Sequence, residues 1–239
     1  TVMAAAATLA RGARAAAHSL AAPDHRPPMI RRARPILLVL GPAASGKSTL
    51  GHALAARGFH HIELDPWPER ARPEPVADAM RAGLDALAER TRVGPLALAI
   101  ESLEGHRASR GTVITFNAVA TLPPRHAAAV ERAGMDLVVL YASGAELLDG
   151  YLARERAKGR AAPPDHWIAH NAHSYAQFSA PHHAPHRVTT YRDGRFLGAD
   201  GLVDAVASRL AARNPQWKTL GRAAAADPGS PRLAASRRR

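Results

Sequence analysis

The sequence predicts an α/β fold in which a parallel sheet of roughly five strands is covered by helices on both faces. Short apolar runs alternate along the chain with longer stretches whose apolar residues recur at helical spacing. This alternation is typical of parallel sheets, because each crossover between parallel strands is usually a helix. A second observation is a glycine-rich segment directly after the first apolar run, which predicts a tight turn from a strand into a helix.

The predicted strands are short runs rich in β-branched and large apolar residues. They are residues 36–40, 59–64, 112–116, 136–141 and 187–191, the last of them before a turn at Asp193-Gly194. The predicted helices are residues 50–57, 76–90, 95–107, 123–133, 144–157, 165–178 and 200–212. No internal repeat is visible, so one layered domain accounts for the pattern.

The segment 41–49 fits the pattern G-x-x-x-x-G-K-[ST] at every fixed position. It lies between the first predicted strand and a predicted helix, which is the setting that this phosphate-binding loop, or P-loop, requires. Backbone N–H groups of such a loop and the N-terminus of the helix behind it bind a polyphosphate. The residues predicted to bind the nucleotide are therefore Gly41, Ala43, Ala44, Ser45, Gly46, Lys47, Ser48 and Thr49.

Two side chains of this loop have separate predicted roles. Lys47 would reach the β- and γ-phosphates, and the Ser48 hydroxyl would bind Mg²⁺. The chain has three lysines and 29 arginines, and one of the three lysines occupies this position. The sequence thus predicts a three-layer P-loop nucleotide-binding fold with ATP or GTP and Mg²⁺ as cofactors, and it does not decide between the two nucleotides.

Asp65 is the candidate for the reacting centre because it directly follows the second predicted strand. The carboxyl ends of parallel strands border the ligand crevice. Its carboxylate would accept the proton of an attacking hydroxyl, or orient that hydroxyl and its metal. The structural alternative is a turn aspartate before Pro66. Glu63, two residues earlier, is interpreted as a flanking structural carboxylate.

A cationic run spans the end of the predicted helix 144–157 and contains Arg154, Arg156, Lys158 and Arg160. Arginines in a closing loop neutralise the charge that spreads over the transferring phosphoryl group and exclude water from it. The alternative is a solvated basic helix end that complements the helix macrodipole. We predict that this segment is a lid and that Arg154, Arg156 and Arg160 are catalytic.

Candidate contacts to an acceptor molecule are fewer. Trp67 and Arg70 follow Asp65 closely, and Asn117 follows the third predicted strand. These positions border the expected crevice, so we predict that Asp65, Trp67, Arg70 and Asn117 contact the substrate.

Six of the thirteen histidines lie between residues 166 and 186. The spacing of His166, His170 and His173 aligns them on one helix face, an arrangement that zinc accepts. No carboxylate or cysteine completes an obvious ligand set, and a second cluster (His182, His183, His186) lies in a Pro-rich loop. We interpret the histidines as a polar face or as the rim of the acceptor pocket.

The net charge of +12 is concentrated at the two ends of the chain. Residues 1–34 carry +5 and residues 213–239 carry +6, whereas residues 35–212 carry only +1. We therefore predict a flexible basic arm over 1–34, a P-loop domain over 35–212 and a flexible basic tail over 213–239, disordered from 221. A nearly neutral centre argues against a groove for a nucleic-acid backbone, which needs several clustered cations.

The remaining composition excludes several classes of protein. Without cysteine, neither disulfides nor thiolate metal sites are possible. No apolar run approaches the roughly 20 residues that span a bilayer. We expect a cytoplasmic protein, monomeric or homodimeric, that binds no membrane and no specific nucleic acid.

The order of these parts resembles the P-loop small-molecule kinases of the nucleoside-monophosphate-kinase-like group, which includes shikimate kinase, gluconate kinase and chloramphenicol phosphotransferase. Within the similar region, 35–212, segment 41–49 matches their ATP-binding loop. Segment 60–65 matches the strand whose terminal aspartate meets the acceptor hydroxyl. Segment 138–148 is similar to the strand and helix that lead into their lid, which 154–160 then resembles.

The resemblance implies Mg²⁺-dependent transfer of the γ-phosphate to a hydroxyl of a sugar, nucleoside or natural product. Asp65-Pro66-Trp67 is similar to the acceptor region of the chloramphenicol enzyme, which adds antibiotic resistance to the implied roles. Shikimate itself is not implied, because Asn117-Ala118-Val119-Ala120 stands where shikimate kinases have a glycine-rich motif.

Two other functions remain open. A nucleic-acid-associated P-loop ATPase or a polynucleotide kinase would use the basic arms, and a nucleotide-binding scaffold would have no turnover. The chain has no run of four apolar residues ending in Asp-Glu, the pattern that hydrolytic ATPases use to hold Mg²⁺ and polarise water. The absence of this pattern from the sequence favours transfer of the phosphoryl group to an alcohol over hydrolysis.

Overall fold

The computed structural model describes residues 33–64, 82–83, 109–116 and 123–220, and at its centre is a sheet of five parallel strands. The strands are β1 (Ile36–Leu40), β2 (His60–Glu63), β3 (Thr112–Phe116), β4 (Asp136–Tyr141) and β5 (Arg187–Thr189). Their order across the sheet is β2-β3-β1-β4-β5, and each neighbouring pair is parallel. The predicted α/β fold with a parallel, five-stranded sheet is confirmed.

Helices cover both faces of this sheet, as its buried apolar strands require. The α-helices longer than one turn in the described ranges are α1 (Lys47–Ala55), α2 (Pro124–Arg132), α3 (Gly144–Ala157), α4 (Asp165–Phe178) and α5 (Gly198–Ala211). On one face, Leu50 of α1 and Val206 of α5 pack with Val39. On the other face, Val130 of α2 and Phe178 of α4 join the core. Every residue of β1 is buried, so the strand that precedes the P-loop is fixed from both sides.

The start of α3 is fixed by a capping box. The Ser143 hydroxyl accepts a hydrogen bond from the Glu146 N–H at 3.2 Å, and the Glu146 carboxylate accepts one from the Ser143 N–H at 2.9 Å. Such a cap satisfies N–H groups that the first turn leaves unpaired. Because Ser143 follows β4 by two residues, the cap fixes where α3 begins, just beyond the carboxyl end of β4.

A two-stranded antiparallel hairpin lies between β5 and α5, where the sequence predicted only the end of a strand. It consists of β6 (Tyr191–Arg192) and β7 (Arg195–Phe196). The predicted turn, Asp193-Gly194, joins them with φ of 51° and 69°, the left-handed conformation that two-residue hairpin turns require. The predicted strand 187–191 is therefore two elements, and β5 ends at Thr189.

The chain after α5 packs onto the domain. Residues Pro215–Thr219 form a 3-10 helix in which Trp217 is fully buried and stacks on Phe59, with ring centroids 5.5 Å apart. The Trp217 Nε1–H donates a hydrogen bond of 2.7 Å to the buried Asp136 carboxylate. This corrects the predicted boundary at residue 212: residues 213–220 belong to the packed body and not to a flexible tail.

Several predicted segments lie outside the described residues. They are 1–32 of the basic arm, 221–239 of the tail, the helix 95–107 and the helix 76–90 apart from residues 82–83. Over the ranges that the structure describes, no helix has the length and apolar character needed to cross a membrane.

Candidate active site

The loop between β1 and α1 is tightly packed at Gly41 and Gly46, the two glycines of the G-x-x-x-x-G-K-[ST] pattern. A Cβ on Gly41 would lie 2.6 Å from the Ser45 Oγ and 2.8 Å from the Leu140 carbonyl oxygen. Gly46 has a φ of 91°, and a Cβ there would lie 2.9 Å from the Phe196 ring. Real Cβ atoms essentially never make contacts this short, so the shape of the loop depends on glycine at both positions.

Lys47 is buried at the first position of α1. Its Nζ donates a hydrogen bond to the Pro42 carbonyl oxygen at 2.9 Å, so the side chain lies back along the loop. Ser45 is fully buried beside it, and its hydroxyl has no hydrogen-bond partner within the described part of the chain. An unsatisfied buried hydroxyl costs about 1–3 kcal/mol. Such a group inside a phosphate-binding loop fits a loop that completes its hydrogen bonds on a ligand.

The Ser48 hydroxyl donates a hydrogen bond to the Glu63 carboxylate. Glu63 is the last residue of β2 and lies in register with Thr115 of β3. Although β3 separates β2 from β1 in the sheet, the Glu63 side chain reaches α1 over the face that α1 covers. Hydroxyl and carboxylate oxygens are the hard ligands that Mg²⁺ prefers.

The contact of Glu63 with Ser48 was not predicted, since Glu63 was interpreted as a flanking structural carboxylate. Glu63 and His61 lie on the same face of β2, because the side chains of a strand point alternately to its two faces. The His61 ring packs against Gly51 of α1, so that a Cβ on Gly51 would overlap it. His61 also makes a 2.9 Å hydrogen bond to the Thr115 hydroxyl, which fixes this strand against its neighbour.

Helix α3 reaches the P-loop at Gly150. The Tyr191 hydroxyl of the hairpin lies against Gly150 so closely that a Cβ there would overlap it, and Ala44 of the P-loop lies 4.0 Å from the same position. Arg154 is one turn further along the same face of α3, about 6 Å along the helix axis. The predicted lid therefore begins one turn beyond the contact between α3 and the P-loop.

Three cations of the predicted lid surround one carboxylate, that of Glu155. Arg154 Nε and Arg160 Nη1 each bind a Glu155 oxygen at 3.1 Å, one on Oε1 and the other on Oε2. The Lys158 ammonium lies 3.7 Å from Oε1. Arg156 differs, since it is exposed and its Nε donates to the Leu152 carbonyl at 3.3 Å. We call Arg154, Glu155, Lys158 and Arg160 the lid cluster.

Burial acts to raise the pKa of Glu155, whose side chain is only 7% exposed. The hydrogen bonds from Arg160 and Arg154 outweigh that effect, so the pKa of Glu155 lies below its ordinary value. The carboxylate is therefore ionised at neutral pH. Because it carries one negative charge among three positive ones, the cluster stays cationic and can attract phosphate.

Aromatic side chains lie beside the lid cluster and were not predicted to belong to the site. Tyr151 of α3 stacks on Trp167 of α4 with ring centroids 4.0 Å apart, and the Arg154 guanidinium lies over the Tyr151 ring at 5.0 Å. Nearby, burial raises the pKa of Tyr175 to about 12. Arg154 thus has a carboxylate and an aromatic face as neighbours, which together restrict its side chain.

The two histidine groups have different environments. His166, His170 and His173 are exposed on α4, and His173 makes a 2.8 Å hydrogen bond to Gln177. The segment predicted to be a Pro-rich loop is instead a 3-10 helix, Pro181–His186, with His183 fully buried and His186 nearly so. His183 stacks on Phe178, which explains the burial as aromatic packing.

The predicted acceptor residues Asp65, Trp67, Arg70 and Asn117 lie outside the described residues. The last described residue before Asp65 is Leu64, which is buried and whose N–H bonds to the Thr115 carbonyl at 2.9 Å. The pairing of β2 with β3 therefore continues up to the residue before Asp65.

No protein-family model matches the sequence, and no curated protein matches it. Two similar solved structures are a gluconokinase from Sinorhizobium meliloti 1021 and a sugar kinase from Janibacter sp. HTCC2649. The first has 21% identity and a TM-score of 0.41, over 82% of this chain and 98% of the other. The second has 17% identity and a TM-score of 0.42, over 80% and 97%. Both of these proteins are, by name, kinases of small molecules.

Proposed function

We propose that this chain is a Mg²⁺-dependent kinase that transfers the γ-phosphate of ATP or GTP to a hydroxyl of a small molecule. The observation that carries the proposal is the P-loop beside the Ser48–Glu63 pair, at the carboxyl edge of a parallel sheet. Ligands bind at this edge in open α/β sheets. A phosphate-binding loop and a set of hard oxygen ligands in direct contact form the minimal donor half of a kinase site.

The residues present fit a nucleoside triphosphate. Gly41 and Gly46 give the loop the close backbone approach that a polyphosphate needs, and the orphaned Ser45 hydroxyl lies inside it. The Lys47 ammonium donates a hydrogen bond to the Pro42 carbonyl oxygen, so its charge lies within the same loop. We assign Lys47 to the β- and γ-phosphates, where its charge would balance theirs.

The residues also fit Mg²⁺, which Ser48 would hold with Glu63 beside it. When bound, the ion would neutralise phosphate charge. The Glu63 carboxylate would accept a hydrogen bond from the Ser48 hydroxyl or from a water molecule. In this way the orientation of the Ser48 oxygen would be fixed before the ligand arrives.

The transfer step needs a base on the acceptor side, and we assign that role to Asp65. The acceptor oxygen would attack the γ-phosphorus while the bond from phosphorus to the β,γ-bridging oxygen breaks. The acceptor proton would pass to the Asp65 carboxylate, and the nucleoside diphosphate would leave with the bridging oxygen. Arg154 and Arg160 would stabilise the charge that develops on the equatorial oxygens.

The acceptor class that we propose is a neutral polyhydroxylated molecule such as a sugar, a nucleoside or a natural product. The resemblance to sugar and antibiotic kinases in the sequence supports this class, and Trp67, Arg70 and Asn117 are the proposed contacts. A near-neutral central region, at +1 over residues 35–212, agrees with a small acceptor better than with a polyanion.

The proposal is tested by measuring nucleoside-diphosphate release with and without a panel of sugars, nucleosides and hydroxylated antibiotics. We expect release to depend on an acceptor and to fall strongly in Ser48→Ala. Acceptor-independent hydrolysis that nucleic acid stimulates would favour the ATPase alternative, because +11 of the net charge lies in residues 1–34 and 213–239. A chain without residues 1–28 and 221–239 then separates the two functions, since only the ATPase would lose its stimulation.

A further inference from the structure

The lid cluster depends on a turn at the end of α3 that brings Arg160 back to Glu155. Gly159 has a φ of 67°, which is the left-handed conformation of a helix-terminating residue. The Arg160 N–H bonds to the Glu155 carbonyl at 3.0 Å, and the Gly159 N–H bonds to the Arg156 carbonyl at 2.9 Å. This paired arrangement is the Schellman motif. Because the chain reverses there, a residue five positions after Glu155 can bind the Glu155 side chain.

Glu155 occupies a position where a carboxylate is unfavourable by itself. It lies near the C-terminal end of α3, where the helix macrodipole disfavours negative charge, and the residue is only 6% exposed. Buried ion pairs seldom add net stability over apolar packing, because both charges lose their hydration. A gain in the stability of the fold therefore does not explain this charged cluster well. The fixed positions that the cluster gives to its arginines explain it better.

The cluster holds two arginines at one fixed separation. One guanidinium binds each Glu155 oxygen at 3.1 Å, and Arg154 is further restricted by the Tyr151 ring, 5.0 Å from its guanidinium carbon. A guanidinium carries five N–H donors, so it can bind a carboxylate and a phosphate oxygen at the same time. Arg154 is also one helical turn from Gly150, the residue of α3 that contacts the P-loop side.

We propose that Glu155 is a positioning residue for phosphoryl transfer, which holds Arg154 and Arg160 together in place before the nucleotide binds. This inference rests on the proposed kinase function and names a residue of the same site. In this role Glu155 does not contact the reacting atoms. It orders the two long arginine side chains before phosphate binds, so phosphate binding does not have to order them. Preorganised charge needs no reorganisation during reaction, which is how fixed donors accelerate a transfer.

The first test compares Glu155→Gln and Glu155→Asp with the wild-type protein, and uses Asp200→Asn as the matched control. Asp200 also accepts a hydrogen bond from an arginine, Arg57 at 2.6 Å, but at an exposed position. In Glu155→Gln we expect kcat to fall about 10–100-fold, the cost of a misplaced catalytic group. KM for the nucleotide should stay level or fall, since loss of a carboxylate makes the lid more cationic.

Glu155→Asp keeps the charge on a shorter side chain, so its kcat should lie between those of the wild type and Glu155→Gln. Asp200→Asn should keep wild-type kcat. Wild-type kcat in Glu155→Gln, together with a loss of activity in Arg154→Ala and Arg160→Ala, would overturn the positioning role and leave the kinase function standing.

A second readout needs no turnover. Order parameters of the arginine Nε–Hε groups are measured by NMR in the full chain without nucleotide, for the wild type and for Glu155→Gln. We expect Arg154 and Arg160 to be ordered in the wild type and mobile in the variant, with the exposed Arg156 as an internal reference. If no acceptor is phosphorylated, the kinase proposal fails, and this measurement still decides the role of Glu155: unchanged order in the variant overturns it.

Discussion

The Ser48 hydroxyl of the P-loop helix donates a hydrogen bond to the Glu63 carboxylate at the end of β2. The two residues are 15 positions apart in the sequence, and a whole strand, β3, separates β2 from the strand that precedes the P-loop. This contact joins the predicted nucleotide site to the strand end that leads into Asp65. Under the proposed function, this contact places the nucleotide-binding residues next to the strand from which the proposed acceptor residues follow.

Glu63→Gln should weaken the response of the enzyme to Mg²⁺ without unfolding it. Glutamine keeps an oxygen that can accept the hydrogen bond from the Ser48 hydroxyl, but it lacks the negative charge that attracts the ion. Residues that orient a metal ligand typically contribute about 10–100-fold in metal affinity or activity. The measurement is the rate as a function of Mg²⁺ concentration. A variant with the wild-type Mg²⁺ curve would show that Glu63 has only a structural role.

Asp65→Asn should bind nucleotide normally and lose most of the rate. Asparagine has a similar shape but cannot accept a proton, and general-base catalysis typically contributes about 10²–10⁴-fold. Nucleotide affinity by calorimetry and kcat by product formation, measured on the same preparation, separate these two effects. Full activity in Asp65→Asn would contradict the proposed base.

His183 should make the protein less stable in mild acid. Burial, with smaller contributions from His182, Arg187 and His186, lowers the pKa of His183 from 6.5 to about 4. The unfolded chain therefore takes up a proton near pH 6.5 that the folded chain takes up only near pH 4. Stability from this residue is complete above pH 6.5 and is lost as the pH falls towards 4, by roughly 3 kcal/mol in total.

Urea unfolding at a series of pH values between 7 and 4 measures this effect. His183→Phe keeps a ring against Phe178 and removes the titration, so its stability should change less over this range than that of the wild type. His170→Asn, at an exposed position, should retain the wild-type pH dependence. Parallel curves for His183→Phe and the wild type would contradict the assignment.

Trp217 should contribute several kcal/mol to the stability of the domain. It is fully buried, stacks on Phe59 and donates a hydrogen bond to Asp136. Replacement of a buried tryptophan by alanine typically costs about 3–5 kcal/mol. The exposed neighbour Lys218 provides the control, since Lys218→Ala should change stability by less than about 0.5 kcal/mol. Equal unfolding midpoints for the two variants would show that residues 213–220 are not part of the core.

The sequence predicts the sheet well because its strands are buried on both faces and are therefore continuous apolar runs. β1, β3 and β4 have the predicted bounds, as have α3 and α4. The hairpin was missed because β6 and β7 are two residues each and largely exposed, so neither carries an apolar pattern. The packing of Trp217 was missed because a basic composition was taken as evidence of a flexible tail.

The site was predictable only in the part that is local in sequence. The P-loop is one continuous segment with a fixed pattern, so Lys47 and Ser48 could be assigned roles directly. Glu63 meets Ser48 only through the order of the strands, which the sequence does not specify. Glu155 meets Arg160 only through the left-handed turn at Gly159, whose side-chain consequences depend on the exact path of the chain.

The central claim is tested most directly by the transfer of labelled phosphate from γ-labelled ATP and GTP, with Mg²⁺, to a panel of sugars, nucleosides and hydroxylated antibiotics. The account predicts a labelled small-molecule product that is formed by the wild type and is lost in Lys47→Ala. Label that appears only as inorganic phosphate, or a product that Lys47→Ala still forms at the wild-type rate, would contradict it.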